Sequence, residues 1–314
     1  MAKILLADSN HGILHETLRE AGFECDLFWD KSADELKALI PQYEGLVLRS
    51  KFKITKEIID TAKKMKCIGR AGAGMENIDV TYAESKGIKC VSAPEGNRDA
   101  VAEHAMGMLL MLFNKLNRVD EEVRNGIWLR TENRGVELLG KTIGIIGYGN
   151  MGSAFVQRLK GFDCKVLVYD KYKKGFGNDF IRECSLEQIY NECDIVSLHT
   201  PLTEETDYLI NSEFINRFRK NIYIVNTARG KCLNTADLVS EIESGKVLGA
   251  CLDVLEYEAV SFEKLDAAKL PAPMQYLIKS DKVVLSPHIA GWTHESNYRI
   301  SKIIAEKMIS VLKK

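Results

Sequence analysis

The feature that most limits what this chain can fold into is a glycine turn set between an apolar run and a helical pattern. Residues 143–152 read Ile-Gly-Ile-Ile-Gly-Tyr-Gly-Asn-Met-Gly, so Gly147, Gly149 and Gly152 fall at G-x-G-x-x-G spacing. A second apolar run, 164–169, ends in Asp170. Strand, tight turn, helix and strand in that order form a unit across which a dinucleotide can lie. Gly147 permits the turn, Gly149 lets the backbone approach a pyrophosphate, and Gly152 lets helix and strand pack closely. The first helical turn, with Asn150 and Met151, presents free N–H groups to the phosphates. Asp170 is placed to accept hydrogen bonds from a ribose and to repel a 2′-phosphate, which favours NAD over NADP. Lys171, Lys173 and Lys174 follow it and could attract an extra phosphate, but Asp170 lies nearest the ribose.

The remaining composition narrows the class. A length of 314 residues suits about two domains. The formal net charge of -1 argues against general binding along a nucleic-acid backbone, which wants a strongly basic face. The eight cysteines are scattered, with no C-x-x-C pair, and read as buried reduced thiols of a cytoplasmic protein. The opening residues read as a first strand and not as a signal peptide. The longest apolar stretch, 105–113, is too short to span a membrane. No metal site is expected.

Strand and helix signals alternate along the whole chain. Strands are expected over 3–7, 24–28, 45–48, 67–70 and 89–91, and again over 142–146, 164–169, 194–199, 223–226, 248–252 and 283–285. A long helix is expected over 99–125 and a last one over 295–312, where Ile300, Ile303, Ile304, Met308 and Leu312 recur at helical spacing. Residues 260–280 are the least regular. This βα alternation predicts parallel sheets covered on both faces.

Several residues could carry chemistry because they follow strands, where ligands bind in open α/β sheets. His288 follows the last strand and is placed as a base. Arg229, in Asn-Thr-Ala-Arg-Gly over 226–230, could hold a carboxylate by two parallel hydrogen bonds. Glu258 could fix the tautomer of an imidazole, with Glu256 as a rival. The small residues of 69–74, Gly-Arg-Ala-Gly-Ala-Gly, expose N–H groups suited to an anion.

With these segments in order, the chain resembles the NAD-dependent D-2-hydroxyacid dehydrogenases, most closely their D-3-phosphoglycerate dehydrogenase branch. The likeness rests on 69–79, 97–104 (Asn-Arg-Asp-Ala-Val-Ala-Glu-His), Gly147–Gly152 with Asp170, 199–202, 226–230, 252–254 and 287–291. It implies two doubly wound α/β domains, Rossmann-like and flavodoxin-like, with an active-site cleft between them. Residues 1–97 plus 287–314 would form the substrate domain and 98–286 the NAD-binding domain. It implies that His288 exchanges the proton of the 2-hydroxyl, that Glu258 pairs with His288, and that Arg229 holds the carboxylate. Backbone at Ala73 and Gly74 would bind the same carboxylate. Thr200, Pro201, Thr227, Ala228 and Asp253 resemble contacts to NAD.

The substrate implied is D-3-phosphoglycerate, at the entry to serine synthesis. Arg49, Lys51, Arg70 and Arg130, with Asn97, would hold it, Arg130 reaching a partner's site in a homodimer built on the helix near 99–125. A glyoxylate, hydroxypyruvate or other small 2-keto acid reductase is the alternative, and an NAD-sensing corepressor-like module is one of another class. Two features depart from the family. Ala259 stands where a proline usually follows the glutamate, and the stretch to the last strand is long. No regulatory domain, and hence no serine feedback through one, is expected.

Overall fold

A computed structural model describes residues 2–29, 32–258 and 270–313. Its strands are β1 (Lys3–Leu6), β2 (Glu24–Leu27), β3 (Gly45–Leu48), β4 (Cys67–Arg70), β5 (Lys89–Ser92), β6 (Thr142–Ile146), β7 (Lys165–Tyr169), β8 (Ile181–Glu183), β9 (Ile195–Leu198), β10 (Ile222–Asn226), β11 (Val247–Leu252) and β12 (Val283–Leu285). All pairings among the described strands are parallel. β3, β6 and β9 are buried along their whole length, as expected for strands covered on both faces.

The chain divides into two compact units, one of residues up to Arg98 together with Trp292 onward, the other Asp99–Gly291. The first holds a five-stranded sheet in the order β2-β1-β3-β4-β5, the flavodoxin-like arrangement. Its last helix, His294–Leu312, buries Ile300, Ile304, Ala305 and Met308. Burying each of the three large side chains contributes about 1.5–3 kcal/mol. Glycines make room for the helix. A Cβ on Gly96 would lie 2.7 Å from the backbone nitrogen of Ile300. The Arg299 guanidinium donates to Gly96 O at 3.1 Å and Lys307 Nζ to Ser92 O at 2.7 Å.

The second unit holds a seven-stranded sheet in the order β12-β11-β10-β9-β6-β7-β8. The order reverses between β6 and β9, so a switch point lies just beyond Ile146, where the glycine turn begins. The turn 286–291 stays with this unit, past the 286/287 boundary expected from sequence, because Asp253 accepts from Ile289 N–H and Ala290 N–H.

Three local expectations change. The helix expected over 99–125 is two helices, Pro94–Phe113 and Leu116–Arg124. The Phe113 carbonyl is taken by Val136 N–H at 2.9 Å, and Lys115 turns left-handed at φ 54°. Lys115 Nζ is held by Glu132 O at 2.7 Å. Of the region expected to be irregular over 260–280, residues 260–269 lie outside the described residues. Ala272–Lys279 forms a helix that buries Met274 and Leu277, with Pro271 as its N-cap. The short strand β8 was not foreseen; only three residues long, it pairs with β7 at the sheet edge.

Gly96→Ala should cost about 1–3 kcal/mol, read as a lower denaturant midpoint. An unchanged midpoint would mean that the last helix yields freely at this contact.

Candidate active site

The glycine turn is built by close backbone approaches. Gly147 has φ +96°, and a Cβ there would lie 2.5 Å from His199 O. A Cβ on Gly152 would lie 2.0 Å from Gly147 O. At Gly149, the N-cap of the helix Asn150–Arg158, a Cβ would meet nothing within 4 Å. Gly147 and Gly152 therefore close the turn, and Gly149 leaves open space in front of the helix N-terminus, where a pyrophosphate fits. Asp170 ties β7 to this turn. It accepts the N–H groups of Tyr148 at 2.7 Å, Lys173 at 2.8 Å and Tyr172 at 2.9 Å. Burial pushes its carboxyl pKa up, but these N–H groups outweigh that and hold it below the usual range.

The three lysines after Asp170 are engaged. Lys171 pairs with Glu205 at 2.6 Å, Lys173 Nζ donates to Tyr148 O at 2.9 Å and Lys174 Nζ to Asp170 O at 3.4 Å. A 2′-phosphate would face the Asp170 charge, which favours NAD. Further along the strand ends, the buried hydroxyl oxygens of Thr200 and Thr227 have no hydrogen-bond partner. Unpaired polar atoms of this kind are costly, and polar groups of a nucleotide would satisfy them. Ala228 is buried beside Thr227, and Pro201 is exposed. The glycines, Asp170 and these threonines thus fit a bound NAD.

His288 stands after β12 at φ +56°, a left-handed conformation rare for a non-glycine residue. Its Nδ1 lies 3.1 and 3.2 Å from the two carboxylate oxygens of Glu258. Glu256, the rival, is committed elsewhere: it accepts the Tyr208 hydroxyl at 2.8 Å and Thr235 N–H at 2.9 Å. Arg229 follows β10, and its carbonyl accepts from the Asn226 side chain at 3.0 Å. The next residue sets the spacing of the site. A Cβ on Gly230 would lie 2.1 Å from Leu255 O, so only glycine lets the Arg229 turn press against the segment leading to Glu258.

Asp253, expected among the cofactor contacts, is a buried hub that sequence reasoning did not identify. It is 1% exposed. Its carboxylate accepts the Ser286 hydroxyl at 2.6 Å, Ile289 N–H at 2.9 Å and Ala290 N–H at 3.0 Å. Its carbonyl accepts His288 N–H at 2.7 Å. His104 joins the same cluster with Nε2 2.9 Å from Ser286 Oγ. Nothing local in the sequence marks this group, because its members are far apart in the chain.

Of the expected substrate residues, all but Arg130 lie in the first unit. Arg49 follows β3 and Arg70 ends β4, strands that pair side by side. The 49–52 turn is fixed by the Asn77 side chain, which donates to Arg49 O and Phe52 O. The Arg49 guanidinium lies over the Trp292 ring at 4.6 Å, and burial lowers its pKa. Lys51 Nζ bonds to Trp29 O. Ala73 and Gly74 N–H groups make no hydrogen bond among the described residues, as an anion-binding turn requires. Asn97 Oδ1 is buried without a hydrogen-bond partner. Arg130 is exposed, next to an exposed Trp128.

Residues 106–290 match the family described as "D-isomer specific 2-hydroxyacid dehydrogenase, NAD binding domain". A D-3-phosphoglycerate dehydrogenase of Archaeoglobus fulgidus is 35% identical over 99% of this chain and 57% of its own length. The chain thus spans little more than half of that relative. A hydroxypyruvate reductase of Thermotoga maritima is 38% identical, covering 89% of this chain and 88% of its own. Among solved structures, the D-lactate dehydrogenase of Aquifex aeolicus complexed with NAD and lactic acid superposes with a TM-score of 0.80 at 29% identity, covering 99% of this chain and 94% of that one.

Beneath the glycine turn, His199 has a buried Nδ1 without a hydrogen-bond partner, and its Nε2 lies 2.8 Å from Ser197 Oγ. Burial pushes its pKa down from 6.5 to about 4. The unfolded chain therefore takes up a proton near pH 6.5 that the folded chain refuses until about pH 4. Stability is complete above the upper value and falls toward the lower one, by at most about 3 kcal/mol. His199→Gln should flatten this part of the stability profile measured by denaturation against pH. An equally steep profile in the variant would place the titration elsewhere.

Proposed function

Since the chain belongs to the D-isomer specific 2-hydroxyacid dehydrogenase family, with NAD as its cofactor, we propose that it oxidises a D-2-hydroxy acid to the 2-keto acid. The observation that carries this reading is the His288–Glu258 pair, with Nδ1 against both carboxylate oxygens at 3.1 and 3.2 Å. With Nδ1 against Glu258, we assign the substrate side to Nε2 of His288. Nε2 takes the 2-hydroxyl proton as the hydride leaves C2, and returns it in the reverse direction. Glu258 fixes the ring and stabilises the charge that it gains. Arg229 holds the carboxylate and polarises the forming carbonyl. Bound NAD supplies the hydride acceptor.

The substrate we favour is D-3-phosphoglycerate. Arg49 and Arg70 at adjoining strand ends, with the open N–H groups of Ala73 and Gly74, suit a doubly anionic molecule. One observation favours the second reading, a reductase of hydroxypyruvate or glyoxylate. Lys51 is engaged by Trp29 O and Arg49 is stacked on Trp292, which leaves less free positive charge for a phosphate. We also propose a homodimer. Leu116, Val123, Ile127, Trp128 and Leu129 are large, apolar and exposed on or just after the helix Leu116–Arg124, and a second copy would cover them.

NADH production should be measured with D-3-phosphoglycerate beside D-lactate and D-glycerate. Turnover of the phosphorylated acid at the highest kcat/KM is expected; turnover of the unphosphorylated acids alone would reject this substrate. His288→Ala should lower kcat by roughly 10²–10⁴-fold while still binding NAD. Near-normal turnover would refute the proton-transfer role.

A further inference from the structure

The part-buried cluster behind His288 contains a group that the proposed chemistry does not use. His104 lies on the helix Pro94–Phe113, and its Nε2 is 2.9 Å from Ser286 Oγ and 3.5 Å from Asp253 Oδ1. Ser286 Oγ is in turn 2.6 Å from Asp253 Oδ1. A hydroxyl has one proton to give. Facing a carboxylate at this distance, Ser286 gives it to Asp253. Its oxygen must then accept, and the facing donor is His104 Nε2–H. The chain of donors therefore has one direction: His104 to Ser286 to Asp253. It also fixes the His104 tautomer, with the proton on Nε2.

The far end of this chain is the base. Asp253 accepts the N–H groups of Ile289 and Ala290, the two residues after His288. These bonds, with His288 N–H to Asp253 O, hold His288 at its left-handed φ, a conformation that costs of order 1 kcal/mol or more without such support. Among the described residues His104 is the basic side chain within 4 Å of the Asp253 carboxylate. A carboxylate this buried depends on every donor it has.

We propose that His104 is a positioning residue for the proton-transfer base, acting through Ser286 and Asp253 to hold the 286–290 turn so that His288 Nδ1 meets Glu258. This inference rests on the dehydrogenase reading for its kinetic effect, but its structural content stands apart from it. The contacts of His104 are with Ser286 and Asp253, so its loss should act on kcat and not on binding.

The test compares His104→Ala with His104→Gln. The glutamine amide places an N–H near the position of the histidine Nε2. His104→Ala should lower kcat by about 10–100-fold, with the KM for the acid and the NAD affinity by calorimetry within about threefold of the parent, differences below about 0.7 kcal/mol. His104→Gln should recover most of the lost kcat. Parental kcat in His104→Ala would overturn the proposal, and so would a His104→Gln variant as impaired as the alanine one. A crystal structure of His104→Ala provides a readout independent of turnover. Separation of His288 Nδ1 from Glu258 beyond hydrogen-bond reach supports the proposal, and an unchanged pair overturns it. Failure of the parent enzyme to oxidise any D-2-hydroxy acid would defeat the proposed function instead, leaving the structural arm to decide on His104.

Discussion

A single buried carboxylate organises the end of the second unit that carries His288. Asp253 leaves β11 with 1% exposure and accepts from a hydroxyl and two backbone N–H groups on the chain leaving β12. Burying a charge is expensive unless hydrogen bonds replace water. Here the bonds that offset that cost also shape the turn on which His288 sits. The left-handed φ of His288, its approach to Glu258 and the place of 286–291 in the second unit all depend on that carboxylate.

The cofactor end depends on a different constraint, the absence of side chains. Gly147 and Gly152 let two backbone segments come within distances that no Cβ allows, and Gly230 does the same where the Arg229 turn meets Leu255. These contacts do not by themselves bind anything. They set where strand ends and helix N-terminus stand, so that Asp170, Thr200 and Thr227 border the switch point of the sheet. Asp170 has two tasks. Its carboxylate clamps the glycine turn through Tyr148 N–H and keeps a negative charge at the end of β7, where the ribose of a bound NAD would lie.

How much of this was legible in the sequence follows from the range of the interactions. The glycine turn, the buried strands and the last helix are written in neighbouring residues, and eleven of the strand positions are visible as apolar runs of the right length. The break at Lys115 is not local, since it is caused by residues 132–136 claiming backbone and side-chain groups of 113–115. The helix Ala272–Lys279 was hidden by its own prolines, which suit a helix start but read as breakers. The resemblance already pointed to Glu258, but that Tyr208 and Thr235 occupy its rival Glu256 is a long-range fact that the sequence does not carry. The His104–Ser286 contact joins residues 182 positions apart, and no spacing rule reaches that far.

On the proposed function, Asp253 sets the geometry of the proton-transfer step through the turn that carries His288. Asp253→Asn tests it most directly, because the amide nitrogen cannot accept the N–H bonds that the carboxylate oxygens take. Single-turnover NADH formation at saturating NAD and acid isolates the chemical step from binding. The rate should fall by about a hundredfold. A parental single-turnover rate, whatever the change in NAD affinity, would contradict it.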